Sequence, residues 1–232
     1  MTKRQEQRLE MERERIRGMR SFENELVREK LETHPDPAAA VSMENVLIAG
    51  IDEAGRGPLA GPVAAGAVIL PRDHDILYLN DSKKLSAKKR DMLFDQIKEE
   101  AVAWSVGLAE PARIDEINIL KATYEAMRLA IEGLKVCPGV LVNDAVTIPG
   151  TPILQIPVIK GDAKCISIAA ASILAKVTRD RIMEEMDVLY PQYGFAKHKG
   201  YGTKEHMEAI RTYGPCPIHR RTFITKILQE VR

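Results

Sequence analysis

The sequence predicts a mixed α/β fold in which helices cover both faces of a β-sheet. The 232 residues, 45% of them hydrophobic, are enough to bury one full core. Two apolar, strand-like runs come first, at residues 46–52 and 61–70, and the short polar hinge between them favours an antiparallel pair. Strand-like and helix-like segments then alternate, which is typical of a sheet with helices on both sides. A helical extension is expected before the sheet and a helical region after it.

The N-terminal extension is predicted to be a charge-mixed helix over residues 3–32, with glutamate and arginine pairs at i,i+3. Its apolar residues fall on one stripe with a spacing near seven: Leu9, Ile16, Met19 and Leu26. Such a thin stripe indicates a helical hairpin arm or a coiled-coil face, not a core element. Prolines in 33–37 break the helix, and an Ala-rich linker follows. The chain is thus predicted to consist of an extension over 1–43 and one larger domain over 44–232.

The later elements follow from capping residues and periodicity. Residues 73–81 are expected to form a loop, Ser86 to cap a helix that runs to about Ala101, and Pro111 to open a helix whose spacing continues to Leu134. Further strands are expected at 102–108, 140–142 and 153–159, a long helix at 164–189, a Gly- and Tyr-rich loop at 190–202, and two last helices from Thr203 and from about His219.

The net charge of +1 hides basic stretches. Residues 83–90 carry five bases and no acid, and residues 160–232 carry 13 Lys and Arg against 8 Asp and Glu. Such stretches fit a polyanion bound on one face, or they are simply solvated helix faces.

The three cysteines are too few and too widely spaced for a disulfide scaffold or a zinc ribbon. The charge-dense N-terminus lacks the apolar core of a signal peptide, and the longest apolar run, 165–175, is too short to span a bilayer. We therefore expect a soluble cytoplasmic protein with no membrane partner.

The acids of the segment 52–58, Asp-Glu-Ala-Gly-Arg-Gly-Pro, directly follow the buried apolar run 46–51. A buried carboxylate must be protonated, paired or bound to a cation. Because side chains alternate along a strand, Asp52 and Glu53 can serve one site only if Glu53 lies where the strand already bends into the loop.

Two further acids occupy comparable places, Asp144 at a strand end and Asp162 at a strand-to-helix junction. Four converging carboxylates would make an oxygen-ligand site for Mg²⁺ or Mn²⁺, and two such ions can hydrolyse a phosphodiester. The alternatives are that Asp144 caps the turn before Pro149 and that Asp162 caps a helix starting at Lys164.

At these residues the sequence resembles ribonuclease HII, the bacterial type 2 ribonuclease H, over about residues 46–228. Five motifs carry the resemblance in order: 52–58, 79–86, 142–149, 160–162 with 167–176, and 198–203. It implies a ribonuclease H-like fold and a metal-dependent endonuclease that uses Mn²⁺ or Mg²⁺, with two ions when substrate is bound. The implied reaction is cleavage on the 5′ side of ribonucleotides, in RNA–DNA hybrids and at single ribonucleotides in duplex DNA. The products carry 3′-hydroxyl and 5′-phosphate ends, which suits DNA replication and repair.

The resemblance also implies roles for individual residues. Asp52, Glu53, Asp144 and Asp162 match the family's catalytic, metal-binding acids. The backbone of Gly55-Arg56-Gly57 matches the reader of the ribose 2′-hydroxyl. Tyr201 matches the tyrosine that stacks under the next sugar, although without the motif it would be read as a loop aromatic that closes the core. Candidates for phosphate contact are Lys83, Lys84, Lys164, Ser172, Lys176 and Lys199, of which Ser172 and Lys176 could instead simply project from their helix.

Asn143 departs from the family pattern, which has an aliphatic residue before the third acid, so its amide must be hydrogen-bonded or exposed. His198, His206 and His219 lack zinc-site spacing and are interpreted as structural or solvent-facing. Two other functions are considered. A related nuclease such as a junction resolvase would explain the acids but not Gly-Arg-Gly with Tyr201, and retention of all four acids argues against an inactive hybrid-binding module.

Overall fold

The computed structural model describes residues 2–33, 43–74 and 76–229. Within them, five strands form one sheet: β1 (Ile48–Ala54), β2 (Val63–Ile69), β3 (Ala103–Ala109), β4 (Val140–Asp144) and β5 (Leu154–Val158). The strand order is β3-β2-β1-β4-β5. β1 and β3 are antiparallel to β2, whereas β4 is parallel to both β1 and β5. The predicted mixed sheet is confirmed, including the antiparallel first pair.

The helices of the described residues are α1 (Lys3–Glu32), α2 (Ala87–Glu100), α3 (Pro111–Ile117), α4 (Ile119–Glu132), α5 (Gly161–Lys164), α6 (Ile166–Leu189), α7 (Phe195–His198), α8 (Lys204–Tyr213) and α9 (Arg221–Gln229). Short 3₁₀ turns cover Ser82–Lys84 and Pro191–Tyr193. None of these helices is both long and apolar enough to cross a bilayer.

The central helix α6 lies against β1 and β2, and it does so closely because Gly50 has no side chain. A Cβ at Gly50 would lie 2.1 Å from the carbonyl carbon of Ser167. This face of the sheet also packs against α2, with Val68, Leu93 and Ile173 in one buried cluster. The opposite face packs against α4, where Ile51 and Met127 are buried together. Helices therefore cover both faces, as predicted.

The N-terminal helix α1 is part of the core, so the prediction of a separate arm is wrong. Its buried residues are Ile16, Met19, Glu23 and Val27. Ile16 and Met19 join the cluster under α6, and Val27 joins a cluster with β4 and β5. The Glu23 carboxylate accepts hydrogen bonds from the Ser167 amide at 3.0 Å and the Ser167 hydroxyl at 2.6 Å. A charged residue that faces inward interrupts the apolar stripe, which is why the periodicity suggested only a thin face.

One predicted helix is divided by a single residue, and another begins later than predicted. The helix opened by Pro111 ends before Asn118, which has a φ of 70° and whose side chain accepts from the amides of Leu120 and Lys121. The helix expected from Lys164 begins at Ile166, because the extended Cys165 separates it from α5, a short helix that was not predicted. Side-chain capping and extended backbone outweigh helical periodicity at these points. The predicted linker lies mostly outside the described residues.

The C-terminal helices form a module that rests on the loop after β1. Tyr193, Phe195, Ile210 and Ile224 make up its buried core. Main-chain hydrogen bonds join residues 59–61 to this module, from the Leu59 amide to the Gly200 carbonyl and from the Arg220 amide to the Leu59 carbonyl, at 2.8 and 2.9 Å. The segments 55–61 and 198–203, far apart in sequence, therefore lie side by side.

Candidate active site

The acids predicted from the sequence lie at the carboxyl ends of β1 and β4 and at the start of α5. The pairing of β1 with β4 stops at Ile51 opposite Asn143, so Asp52 and Asp144 are the next residue on each strand. The Asp144 carboxylate accepts from the Gly161 amide at 2.7 Å, which ties the end of β4 to the short helix that carries Asp162. Parallel strands bring their carboxyl ends to one sheet edge, which places these acids together.

The acids form one electrostatic cluster because neighbouring carboxylates affect the ionisation of Asp52, Glu53 and Asp162. Burial raises the pKa of Asp52 well above its usual range, and the charges of Glu53 and Asp144 raise it further. Burial also raises the pKa of Glu53, against the effect of Arg56, whose guanidinium lies 3.3 Å from the Glu53 carboxylate. The pKa of Asp162 is raised by burial and then by the nearby carboxylates of Asp81 and Asp144.

One expectation and two alternatives for the acids differ from the structure. Glu53 does not lie at a bend, since β1 stays paired with β2 through Ala54 and turns only at Gly55. The antiparallel partner continues after the parallel partner has ended, so the strand stays regular beside an open edge. Glu53 nevertheless lies near the other acids without a bend, since the charge of Asp144 acts to raise its pKa. Asp162 lies inside α5 and does not cap the long helix, and Asp144 binds the Gly161 amide instead of capping the next turn.

The loop before α2 brings a cation, Lys83, and a hydroxyl, Ser82, to the acids, and α6 supplies a second hydroxyl, Ser172. The Ser82 and Ser172 hydroxyls are 2.9 Å apart, and the Ser172 hydroxyl acts to lower the pKa of Asp52, against burial and the neighbouring charges. Burial opposes the charge of Lys83, but the carboxylates of Asp81 and Asp162 outweigh it and raise the Lys83 pKa. Asp81 and Ser82 were not predicted as site residues, although both lie in the motif 79–86.

The main chain of the Gly55-Arg56-Gly57 loop is bound by a buried arginine, Arg220, and lies against a second one, Arg179. Gly55 has a φ of +96°, and a Cβ there would lie 2.1 Å from Nε of Arg179. Arg220, which is fully buried, donates to the carbonyls of Gly55 at 2.6 Å, Arg56 at 2.9 Å and Gly61 at 3.0 Å. The main chain of the loop is therefore fixed, whereas the Arg56 side chain is exposed.

Arg179 joins this loop to the one that carries Tyr201. It is fully buried on α6 and donates to the carbonyls of Pro62 at 2.9 Å, Ala60 at 3.0 Å and Lys199 at 3.0 Å. Neither buried arginine was singled out from the sequence. A usable signal existed for Arg179, since it stands at helical spacing between Ala175 and Met183, both fully buried.

Tyr201 is 45% exposed, so its ring is not part of the core. The ring lies beside the Gly-Arg-Gly loop, where a Cβ at Gly57 would be 3.8 Å from Cε1 of Tyr201. His198, His206 and His219 are all buried beneath this loop, which contradicts the solvent-facing alternative.

The other predicted phosphate contacts are spread around the site. Lys84 and Lys164 are exposed at the ends of their short helices. Lys176 lies 2.7 Å from Asp180, and Lys199 lies 2.6 Å from Glu184, so both are held in ion pairs with carboxylates outside the acid cluster. Among the predicted lysines, Lys83 has a pKa that is raised by the charges of Asp162, Asp52 and Asp144, which places it beside the acid cluster.

Asn143 is fully buried in β4, which stays regular through Asp144. Its amide donates to the Val146 carbonyl at 3.2 Å and to the Gln155 side chain at 2.8 Å. Gln155 in turn bonds both main-chain groups of Ile148. The departure from the family pattern is thus accommodated by a network that shapes the loop after β4.

A divalent cation fits the acids by the chemistry of their donors. All four supply carboxylate oxygens, the ligands that Mg²⁺ and Mn²⁺ prefer. Burial, and then the charges of Glu53 and Asp144, raise the pKa of Asp52, so a bound cation would favour its ionised form. In the arrangement described, no three His, Cys, Asp or Glu side chains among residues 2–33, 43–74 and 76–229 are grouped as a ready-made metal site.

Known proteins match the chain over nearly the whole sheet and the C-terminal module. The family model described as ribonuclease HII matches residues 49–226. Ribonuclease HII of Lachnoclostridium phytofermentans is 63% identical over 180 residues, which are 78% of this chain and 71% of that protein. Ribonuclease HII of Caldanaerobacter subterraneus subsp. tengcongensis is 54% identical over 221 residues, 95% of this chain and 86% of that protein.

The fold has a similar counterpart among solved structures. The crystal structure of ribonuclease H2 from Pyrococcus horikoshii has a TM-score of 0.67 and 32% identity, over 80% of this chain and 98% of that chain. The predicted ribonuclease H-like fold is therefore confirmed. The residues matched by the family model include the four acids, the Gly-Arg-Gly loop and Tyr201.

Proposed function

Because the chain belongs to the ribonuclease HII family and is accordingly a ribonuclease H hydrolase, we propose that it is a divalent-metal-dependent endonuclease specific for ribonucleotides. It hydrolyses the phosphodiester on the 5′ side of ribonucleotides in RNA–DNA hybrids and of single ribonucleotides in duplex DNA, leaving 3′-hydroxyl and 5′-phosphate ends. These substrates and products suit a role in DNA replication and repair in the cytoplasm. The observation that supports this most is the direct succession of the acids and the Gly55–Gly57 loop at one strand end.

The acids Asp52, Glu53, Asp144 and Asp162 would hold Mn²⁺ or Mg²⁺, with two ions when substrate is bound. When bound, such ions supply an activated water and stabilise the leaving oxygen of a phosphodiester. The hydroxyl of Ser172 orients the Asp52 carboxylate. The ammonium of Lys83 offsets part of the cluster's negative charge and is near enough to contact the phosphate of a bound strand.

Discrimination between RNA and DNA falls to the two loops that the buried arginines join. The main chain of Gly55-Arg56-Gly57 contacts the 2′-hydroxyl, the group by which a protein recognises a ribonucleotide. The exposed ring of Tyr201 stacks under the next sugar, where a second 2′-hydroxyl would be obstructive. The remaining contacts go to the phosphates of the duplex, from Lys84, Lys164, Lys176 and Lys199.

The test is cleavage of a duplex that contains one ribonucleotide, against an all-DNA duplex of the same sequence, with Mg²⁺ or Mn²⁺. Cleavage confined to the first duplex, on the 5′ side of the ribonucleotide, is expected. Equal cleavage of both would refute ribonucleotide specificity and favour a resolvase-like nuclease. Tight binding without cleavage under either metal would indicate a binding module. Asp52→Asn is the matched control, since it should bind but not cleave.

A further inference from the structure

A chain of hydrogen bonds runs through two buried histidines to the main chain of Tyr201. The Cys216 amide donates to Nδ1 of His219 at 3.0 Å. Nε2 of His219 and Nε2 of His206 are 3.0 Å apart. Nδ1 of His206 lies 2.9 Å from the Tyr201 carbonyl oxygen. His206 and His219 are 0% and 1% exposed, so water does not take part in these contacts.

The chain fixes the proton positions on both rings. Because Nδ1 of His219 accepts from an amide, the proton of a neutral His219 is on Nε2. That proton is donated to Nε2 of His206, so the proton of His206 must be on Nδ1, where it meets the Tyr201 carbonyl. Burial lowers the pKa of each ring to about 4, which keeps both neutral at physiological pH. Only this pair of tautomers satisfies all three contacts.

A third histidine, His198, binds the main chain on the N-terminal side of Tyr201. The Gly200 amide donates to Nδ1 of His198 at 3.2 Å, and the second nitrogen of that ring contacts the Tyr193 carbonyl at 2.8 Å. The rings of His198 and His206 stack with centroids 4.5 Å apart. The Lys199–Gly200 and Tyr201–Gly202 peptide groups, on either side of Tyr201, are thus both bound by imidazole nitrogens. The ring of Tyr201 is itself 45% exposed, so these main-chain contacts lie beneath a side chain that is open to a ligand.

We propose that His206, held in its Nδ1–H tautomer by His219, is a positioning residue that fixes the main chain of Tyr201 and thereby sets the selectivity at the sugar that follows the ribonucleotide. This inference rests on the function proposed above for Tyr201. All ring nitrogens of the pair are used by each other or by main-chain groups, so the cluster of His206, His219 and Cys216 is not a metal site in this arrangement.

Two substitutions at His206 separate positioning from stability. His206→Asn keeps an amide near the Nδ1 position, so it can still donate to the Tyr201 carbonyl but leaves the Nε2 proton of His219 without an acceptor. His206→Gln places its amide near the Nε2 position, so it still meets His219 but loses the contact with Tyr201. Each variant loses one buried hydrogen bond, and comparable losses of stability are expected.

The measured quantity is the kcat/KM for a single embedded ribonucleotide divided by that for a continuous RNA–DNA hybrid. This ratio does not depend on the folded fraction of a variant. His206→Gln should lower it about fivefold, in the direction of Tyr201→Ala, whereas His206→Asn should stay within about twofold of wild type. Equal ratios for the two variants, or a fall confined to His206→Asn, would overturn the inference.

A measurement on the wild-type protein tests the same inference without a variant that must fold. Long-range ¹⁵N–¹H spectra distinguish histidine tautomers, and they should show His206 protonated on Nδ1 and His219 on Nε2. An Nε2-protonated His206 would overturn the inference while leaving the proposed function intact. If instead Tyr201→Ala leaves the cleavage ratio unchanged, the role proposed for Tyr201 fails, and the inference fails with it.

Discussion

Replacement of Arg220 by methionine tests whether the Gly-Arg-Gly loop depends on support from within the protein. The guanidinium is fully buried and donates to the carbonyls of Gly55, Arg56 and Gly61, and no carboxylate among the described residues forms an ion pair with it. Methionine has a similar length and fills the same space, but it donates no hydrogen bond. The variant therefore removes three contacts without leaving a large cavity.

The size of the effect follows from two opposing contributions. A buried carbonyl left without a donor costs about 1–3 kcal/mol, so three of them would cost up to about 9 kcal/mol. Removal of a buried cation offsets part of this, because burial and the nearby charge of Arg179 disfavour the charged form and lower the Arg220 pKa. We expect a net loss of about 3 kcal/mol in the free energy of unfolding, which corresponds to a fall in Tm of about 6–12 °C for a chain of this size.

Denaturant unfolding measures the loss of stability, and single-turnover cleavage well below the Tm measures the effect on the site. Cleavage at a single ribonucleotide should fall about a hundredfold, since a reader displaced by about 1 Å has an effect of that order. Arg221→Met is the matched control, because Arg221 is the exposed neighbour and its loss should change stability by no more than about 0.5 kcal/mol. An Arg220→Met variant within about 1 kcal/mol of wild type and fully active would refute the reasoning.

Three further outcomes are expected. Burial and neighbouring charges raise the pKa of Asp52, so the folded state binds its proton more tightly than the unfolded chain and stability falls as pH rises above the usual carboxyl pKa of 3.8. Without divalent cations, the Tm of Asp52→Asn should therefore exceed that of wild type at about pH 8, and the two values should differ less at about pH 5. A variant Tm below the wild-type Tm at about pH 8 would contradict this. Glu23→Ala should lower the unfolding free energy by about 2 kcal/mol in denaturant titrations, because the amide and hydroxyl of Ser167 lose their acceptor, whereas the exposed Glu25→Ala should change it little. If lysines contact phosphates, log affinity for a hybrid in fluorescence anisotropy should fall with log salt by roughly 0.9 per contact, and a flat response would exclude those contacts.

The sheet could be predicted because its signal is local. Buried apolar runs and their spacing gave the five strands, and the covering helices followed from Ser86, Pro111 and the apolar periodicity. The packing of α1 could not be predicted, because its inward-facing Glu23 is matched to a helix end that lies 144 residues away in sequence. A charge at that position looks solvent-exposed until its partner is known.

The acids, unlike Glu23, could be recognised in the sequence because of their surroundings. Asp52 follows six residues without a polar side chain, and a carboxylate there contradicts the apolar pattern strongly enough to indicate function. The arginines that support the loops gave weaker signals, since Arg179 only interrupts an apolar helical spacing. Their partners are main-chain carbonyls, which every residue has, so neither charge complementarity nor a motif points to them.

The two kinds of site residue are held in physically different ways. This difference explains why the protein buries two arginines whose charges repel each other. The acids stand on or beside strands, whose backbone is fixed by the ladder of β1 with β2 and β4. The residues proposed to read the sugar stand on loops, which have no ladder and must be fixed by side chains from elsewhere. Arg179 and Arg220 are close enough to disfavour each other's charge, yet together they bind carbonyls at residues 55, 56, 60, 61, 62 and 199. A neutral side chain could not satisfy three carbonyls at once, so the planar fork of donors outweighs the repulsion. Selectivity for the sugar should therefore be more sensitive to substitutions beneath the loops than the acid cluster is to substitutions beneath the sheet.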